Sequence, residues 1–415
     1  MKANISTKTL APEKIPDTPL FVVEIEDPAF EIQGWLVIHS FGPRGSCGGI
    51  RLYPDVSRQE VELLAKAMTY KYCFYEADLG GAKAAIRLPS DIGLADRVMI
   101  LRKFGEHIAP LIKSRVYWPW TDMNCSSVDI VNLYQGAGVK HTLPGNSAYF
   151  TALSTFSAVL AWAEYYQVPA EQCLITIEGL GNVGKYLAIE IDQWGAKLIG
   201  ASTRIGAVAN LNGLDVKQIV KYLGKANDFW VEENGNWQIT SKEQLFSLPM
   251  NIHIPCARTY SLTEKVAEDI NCNVVIPAAN VPCSPNGELK LNEKGIKLLP
   301  DFVVNSGGVI GPGLSHLQSS DSRIRNLFSQ DFKEMIKRLL KLSDRSQTTP
   351  TVLANLESHK YFRTLRMSGR EKASSKKSVL RTLTRQIHIS KKLTLKNKES
   401  KIRRILRERF TQNGT

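Results

Sequence analysis

Residues 174–203 read LITIEGLGNVGKYLAIEIDQWGAKLIGAST. An apolar, strand-like run to Glu178 meets Gly179, Gly181 and Gly184 at GxGxxG spacing, then an amphipathic stretch and a second apolar run ending at Ser202. Strand, glycine turn, helix and strand within about 30 residues make one βαβ unit. There the first glycine permits the turn, the second lets a pyrophosphate approach the backbone, and the third lets helix and strand pack closely. The phosphates would meet the free N–H groups and positive dipole end of the helix, at Asn182 and Val183. A plain tight turn is the alternative; the flanking strand and helix point instead to dinucleotide binding.

About 20 residues beyond such a turn, an acidic residue would hold the ribose 2′-hydroxyl of NAD. The text here is Ala201-Ser202-Thr203-Arg204, with no carboxylate. Hydroxyls beside an arginine suit a 2′-phosphate, so NADP is expected over NAD, an ordinary polar loop being the other reading. Apolar runs at 251–256, 273–278 and 302–304 are spaced like further parallel strands, whose burial demands such continuity.

Upstream, residues 20–53 alternate short apolar runs with Gly, Pro and Asp breaks, which predicts a strand meander. Residues 57–75 have helical spacing, with Ser57 and Glu60 placed as a capping box, and the helix is expected to run into a glycine turn at Gly80-Gly81. A helix over 91–112, a strand ending at Thr121-Asp122 and a long buried helix over 151–166 follow. The pattern is helical again near 330–342, and 368–378 reads as a flexible basic linker. The expected architecture is α/β. An N-terminal α/β substrate and assembly domain (1–148) precedes a Rossmann-like dinucleotide-binding domain (149–304), with a cleft between them. Helices (305–365) return to the first domain, and a basic extension (366–415) ends the chain.

The length of 415 residues, 43% of them apolar, suits two globular domains. No run is long and apolar enough for a transmembrane segment, and the opening MKANISTKTLAPEKIPDTP has no apolar signal core, so a cytoplasmic protein is expected. Seven scattered cysteines without a CxxC pair fit reduced thiols better than disulfides or zinc, and no metal is expected. The net charge of +13 is local: residues 366–415 hold 16 Lys and Arg against 3 Asp and Glu, so the rest is neutral. In that tail Val379, Leu380, Leu383 and Ile387, and again Ile402, Ile405, Leu406 and Phe410, lie at helical spacing. A basic amphipathic segment could bind nucleic acid, an anionic membrane surface or an acidic partner. The plainer expectation is a helix packed on another subunit or a solvated tail. Without aromatic interleaving or a known motif, specific nucleic-acid binding is not expected.

Two lysines, Lys71 in MTYK and Lys83 in GGAK, flank the glycine pair. Ammonium groups buried together depress one another's pKa, and one can then act as a base near neutral pH. Lysine content alone would favour solvated surface positions. The text from Gly42 to Asp122 resembles the glutamate/leucine/phenylalanine/valine dehydrogenase family, in GPRGSCGGIR (42–51), MTYK (68–71), LGGAK (79–83) and TDMN (121–124). The likeness continues through EGLGNVG (178–184), NLNGLD (210–215), IPCA (254–257), AAN (278–280) and NSGGVI (305–310), covering 21–365 in the family's order.

The resemblance implies a homo-oligomeric enzyme that converts an L-amino acid to its 2-oxo acid and ammonia with NAD(P), reversibly. It implies that Lys71 binds the α-carboxylate beside the Gly48-Gly49 backbone, that Lys83 activates the water attacking the imino carbon, and that Asp122 exchanges protons with the amino group and water. Asn280 and Asn305 would lie at the cofactor and substrate side of the cleft, and Thr151 near the nicotinamide. By itself Asp122 would read as a helix cap or turn residue. Glutamate-specific members carry a lysine where this chain has Cys47 and a serine where it has Pro312. Both changes point to an apolar amino acid. The alternatives are a glutamate dehydrogenase with a rebuilt pocket, and a catalytically silent nucleotide-binding member acting through its basic tail. Intact Lys71, Lys83 and Asp122 argue against silence.

Overall fold

The structure, a computed structural model, describes residues 14–141, 146–222, 235–315, 319–373 and 395–411. The first sheet contains β1 (Phe21–Asp27), β2 (Ile32–Ile38), β3 (Ser46–Leu52), β4 (Gly80–Ile86) and β5 (Tyr117–Thr121), in spatial order β1-β2-β4-β3-β5. β1, β2 and β4 pair antiparallel in turn, whereas β3 runs parallel to both β4 and β5. The predicted meander therefore ends at β2. The chain needs a crossover to lay β4 parallel to β3, and α1 (Arg58–Phe74) supplies it. Ser57 caps α1 by accepting the Glu60 N–H at 3.2 Å. Glu60 does not close the expected capping box, because its carboxylate pairs with Arg51 instead.

The predicted turn at Gly80-Gly81 is in fact the start of β4, all seven residues of which are buried. A Cβ on Gly80 would lie 2.1 Å from the Ser40 carbonyl oxygen, and one on Gly81 2.2 Å from the Thr69 nitrogen. The glycines thus mark close backbone approach within a strand. Alternation along β4 sends Ala82, Ala84 and Ile86 into one apolar core and Ala85 into another, under α1. Lys83 shares the second face. Helices α2 (Leu94–His107) and α3 (Ala109–Lys113) divide the predicted helix at Ile108, two residues before Pro110, and α4 (Ser127–Gly136) packs against α2.

The buried α5 (Ser147–Tyr166) leads into the second sheet: β6 (Leu174–Glu178), β7 (Lys197–Ser202), β8 (Ala207–Ala209), β9 (Gln238–Thr240), β10 (Ile252–Pro255), β11 (Val274–Val275) and β12 (Lys297–Leu298). Its order is β12-β11-β10-β6-β7-β8-β9, parallel from β12 to β7 with β8 and β9 antiparallel. α6 (Asn182–Trp194) joins β6 to β7 as the quoted stretch requires; α7 (Val216–Tyr222), α8 (Lys242–Phe246), α9 (Glu264–Asp269) and α10 (Pro285–Glu293) serve the other connections. β7 lies on one side of β6 and β10 on the other, so a crevice opens at the carboxyl ends of these strands. The apolar run at 302–304 is helical, in α11 (Asp301–Val304), and the edge strand is Lys297–Leu298 instead. A three-residue apolar run carries no period of its own, and Pro300 with Asp301 starts a helix.

α12 (Gly307–Ser315), α13 (Asp321–Leu327), a π-helical turn at 328–332 and α14 (Lys333–Ser346) follow. α15 (Pro350–Ala373) returns to the first domain and lies on α1, where Ser358 donates to the Tyr70 carbonyl at 3.2 Å. It runs through the first part of the stretch expected to be a linker; the remainder, with Val379, Leu380, Leu383 and Ile387, lies outside the described residues. α16 (Leu395–Glu408) corrects the reading of the tail's end. Ile402, Ile405 and Leu406 are buried against this chain's own core, and Phe410 meets Phe74 at 6.0 Å. Its charges are matched locally: Arg403 and Arg407 pair with Asp331, Arg404 with Glu76, and Arg409 with Glu76 and Glu357. An apolar face at helical spacing is satisfied wherever an apolar surface is within reach, here in the same chain.

Candidate active site

A cleft of about 2510 Å³ runs between the two sheets. At its centre the Lys83 ammonium, 2% exposed, lies 3.0 Å from Oδ2 of Asp122 at the end of β5. The Arg51 Nε reaches the same oxygen at 3.0 Å; its Nη1 bonds Glu60 and, across the cleft, the Thr259 hydroxyl at 3.0 Å. Burial pushes the Asp122 carboxyl up, but Lys83 and Arg51 outweigh it and hold the group well below the usual carboxylate range. Burial lowers the Lys83 pKa, with Asp122 opposing and Arg51 adding to the fall. A desolvated lysine beside a carboxylate is suited to moving protons.

Lys71, on the last turn of α1, donates to Oδ1 of Asn305 at 2.6 Å and Oδ1 of Asn280 at 3.2 Å. Asn305 in turn donates to the Ala279 carbonyl and to Asn280, both at 3.0 Å. Residues from both lobes are thereby drawn onto one ammonium, whose pKa burial lowers to about 8. Gly48 and Gly49, on β3, line the same cleft. A Cβ on Gly48 would stand 1.6 Å from the Ala82 carbonyl oxygen, and one on Gly49 2.7 Å from the Asp122 Cβ. Their bareness is thus required by the sheet as well as by any ligand. Cys47 and Pro312, the latter inside α12, also line the cleft. Burial raises the Cys47 thiol to about 11.

At the crevice of the second sheet, Gly179 has φ +99°, and a Cβ on Gly184 would lie 2.4 Å from the Gly179 carbonyl oxygen. Gly181 caps α6 without any side-chain bond to its first N–H groups, and a Cβ there would meet nothing within 4 Å. Backbone donors therefore face open space, as a bound pyrophosphate requires. Asn182, Val183, Ser202, Thr203, Arg204 and Thr151 line the same cleft, while Gly184 is packed beneath it. Ser202 is committed to the turn, accepting the Gly179 N–H at 3.2 Å, and Lys242 donates to the Arg204 carbonyl at 2.8 Å. Among the described residues no group of three His, Cys, Asp or Glu is placed to hold a metal ion, and no helix is long and apolar enough to cross a membrane.

The family model described as Glutamate/Leucine/Phenylalanine/Valine dehydrogenase matches residues 146–362, and that described as Glu/Leu/Phe/Val dehydrogenase, dimerisation domain, matches 21–136. The chain belongs to this family. It is 26% identical over 348 residues to an NADP-specific glutamate dehydrogenase A1 of Halobacterium salinarum, covering 80% of this chain and 82% of that one. It is 29% identical over 292 residues to the NAD-specific glutamate dehydrogenase of Staphylococcus aureus, covering 66% and 70%. The hetero-hexameric glutamate dehydrogenase of Thermus thermophilus, solved with leucine bound, superposes with a TM-score of 0.72 at 20% identity over 82% of this chain and 88% of that one.

As a family member the chain is an amino-acid dehydrogenase; of the two relatives, one is named as NADP-specific and the other as NAD-specific. Seventeen of the eighteen residues singled out in the sequence line the cleft, the exception being Gly184. Arg51, Glu60 and Thr259 were missed. Arg51 ends the quoted GGIR motif, but nothing local to the sequence tells that its side chain turns inward to Asp122. Thr259 reaches it from 208 residues away, beyond any local signal.

Proposed function

We propose that this dehydrogenase deaminates an L-amino acid oxidatively, with Lys83 and Asp122 as its proton-handling pair. The observation that carries the reading is their buried 3.0 Å contact, in a cleft that also exposes the Gly181 cradle. Lys71 clamps the α-carboxylate beside Gly48 and Gly49, fixing the α-carbon toward Thr151 and the second domain. A nicotinamide cofactor held at the Gly179–Gly181 turn, with Thr151 near its ring, would supply the hydride acceptor for that carbon. Lys83, its pKa lowered by burial, takes a proton from water in its unprotonated form as the water oxygen adds to the imine carbon, and Asp122 relays protons to the departing amine. Asn305 and Asn280 hold Lys71 in place. Ser202, Thr203 and Arg204, with Lys242 alongside and no carboxylate at the end of β7, favour NADP. The first domain is the surface for assembly into a homo-oligomer, in keeping with the description of the family model it matches.

For the side chain of the substrate, Cys47 and Pro312 line the cleft without offering a strong donor, which favours an apolar amino acid. A second reading, a side chain ending in a carboxylate, is favoured by one observation: Lys398 of α16 lines the same cleft. Incubating the protein with each standard amino acid and NAD or NADP, and recording reduced nicotinamide, tests the reaction. No turnover with any of them refutes it.

A further inference from the structure

The loop after β10, Cys256 to Tyr260, belongs to the second lobe but is docked on the first at two points. Inside the cleft, Nη1 of the buried Arg51 donates to the half-buried Thr259 hydroxyl at 3.0 Å. At the rim, Nη2 of Arg258 donates to both carboxylate oxygens of Asp55, at 2.9 and 3.0 Å, and its guanidinium carbon lies 4.4 Å from the centre of the Tyr53 ring. Arg258 and Asp55 are both exposed, so their pair seats the loop but contributes little energy of its own. The loop is fixed from its own side as well. Cys256 donates to the Glu178 carbonyl at 2.8 Å, and Tyr260 to the Val281 carbonyl at 2.9 Å. Tyr260 and Val281 have φ of +55° and +49°, and the Val281 N–H is held by Oδ2 of Asp301 at 2.8 Å. A β-branched residue is strained in that region, and such strain persists only where the surroundings over-determine the backbone. Thr259 therefore projects from a rigid support.

We propose that Thr259 is a positioning residue for Asp122: docking of the loop after β10 sets the Arg51 guanidinium on the carboxylate and so ties the proton-handling pair to the meeting of the two lobes. This rests on the deamination reading. Arg51 gives Nε to Asp122 and Nη1 to Glu60 and Thr259. Of these three partners only Thr259 belongs to the second lobe. Because the guanidinium is planar, fixing Nη1 also fixes the direction in which Nε points. The hydroxyl touches neither Lys83 nor Asp122 and acts through Arg51. The pair is thus fully set only over a closed cleft, from which water is excluded.

Thr259→Val keeps the shape of the side chain and removes the hydroxyl, which Thr259→Ser restores. In the full chain, with its best amino-acid substrate and NAD or NADP, Thr259→Val should lower kcat by about 5–20-fold and leave KM and nucleotide affinity within about twofold. Thr259→Ser should recover most of kcat. In an Arg51→Met background Thr259→Val should cost less than about twofold, because the residue it acts through is already gone. A Val variant with wild-type kcat overturns the proposal, as do equal losses in both backgrounds, the mark of a threonine that serves only its own loop. Trace acetylation by acetic anhydride across pH, followed at Lys83 by mass spectrometry, needs no turnover. Lys83 is faced by Asp122 from β5, Arg51 from β3, and Glu60 and Lys71 from α1, and Thr259→Val alters none of these groups directly. Burial and, after it, the Arg51 charge lower the Lys83 pKa, so releasing Arg51 should move the labelling midpoint to higher pH. If wild type turns over no amino acid, the deamination reading fails. An unmoved Lys83 midpoint overturns the Thr259 assignment in either case.

Discussion

Replacing Arg51 by methionine keeps a flexible apolar stem and removes the guanidinium that joins Asp122, Glu60 and Thr259. Arg51 is 4% exposed, Asp122 13% and Glu60 18%, so the charges left behind are poorly hydrated. Asp122 retains Lys83 at 3.0 Å, whereas Glu60 loses the partner that drew it from its capping box. Breaking a buried pair from one side costs about 3–5 kcal/mol, and the partial exposure of Glu60 puts the loss near about 3 kcal/mol. The Asp122 pKa should rise once one of its two cations is gone. An acid depressed in the folded state lends stability above its unfolded pKa that is lost as pH falls through the folded pKa. In the variant that loss should begin at higher pH. Turnover should fall by up to about 100-fold, because Asp122 is no longer held from two sides. Arg51→Lys should rescue little, since one ammonium cannot reach three partners. Urea unfolding followed by tryptophan emission, at neutral and mildly acid pH, gives the stability term, and the pH profile of kcat/KM gives the functional one. A stability loss below about 1 kcal/mol with an unshifted acid limb would refute the reasoning.

Lys83→Ala should lower kcat by at least about 100-fold while nucleotide still binds, because the cradle is in the other domain; a variant keeping a tenth of wild-type kcat contradicts the mechanism. Deamination should be bell-shaped in pH, rising as Lys83 loses its proton and falling above about 8 as Lys71 loses its own; a profile flat across this range argues against both roles. Thr203→Asp should swing cofactor preference toward NAD through a bond to the ribose hydroxyls, and equal use of both cofactors by wild type would remove support for the reading of the β7 end. Gly48→Ala should be inactive or unfolded, since its Cβ would lie 1.6 Å from the Ala82 carbonyl oxygen; near-normal activity would mean the strands can part without consequence.

The second domain was legible because its decisive features are local: three glycines, a strand before them and a helix after them within thirty residues. The site was legible where a motif carried it, as with Lys71, Lys83 and Asp122. What escaped depended on partners distant in sequence. β3 reads as the third strand of a meander until β4 arrives to separate it from β2. Gly80-Gly81 reads as a turn because glycine signals both reversal and close approach, and only the position of Thr69 decides between them. Phe302 to Val304 has too short a run to show its period. The charge of the tail was visible, but not its matching by Asp331, Glu76 and Glu357, which are scattered through the body.

The last described helix also bears on how the chain is made. The Arg409 guanidinium donates to the Phe74 carbonyl at 2.8 Å and stands 5.4 Å from the Phe74 ring, and the Phe410 ring lies 6.0 Å from the same ring. These contacts span more than three hundred residues. At about 5–20 residues per second on the ribosome, the first sheet and α1 exist for many seconds before residue 409 is made. Throughout that interval the carboxyl end of α1, which carries Lys71, is uncovered and the cleft lacks one wall. The nascent protein thus holds a folded but incomplete first lobe, and its catalytic end becomes whole only when synthesis reaches α16.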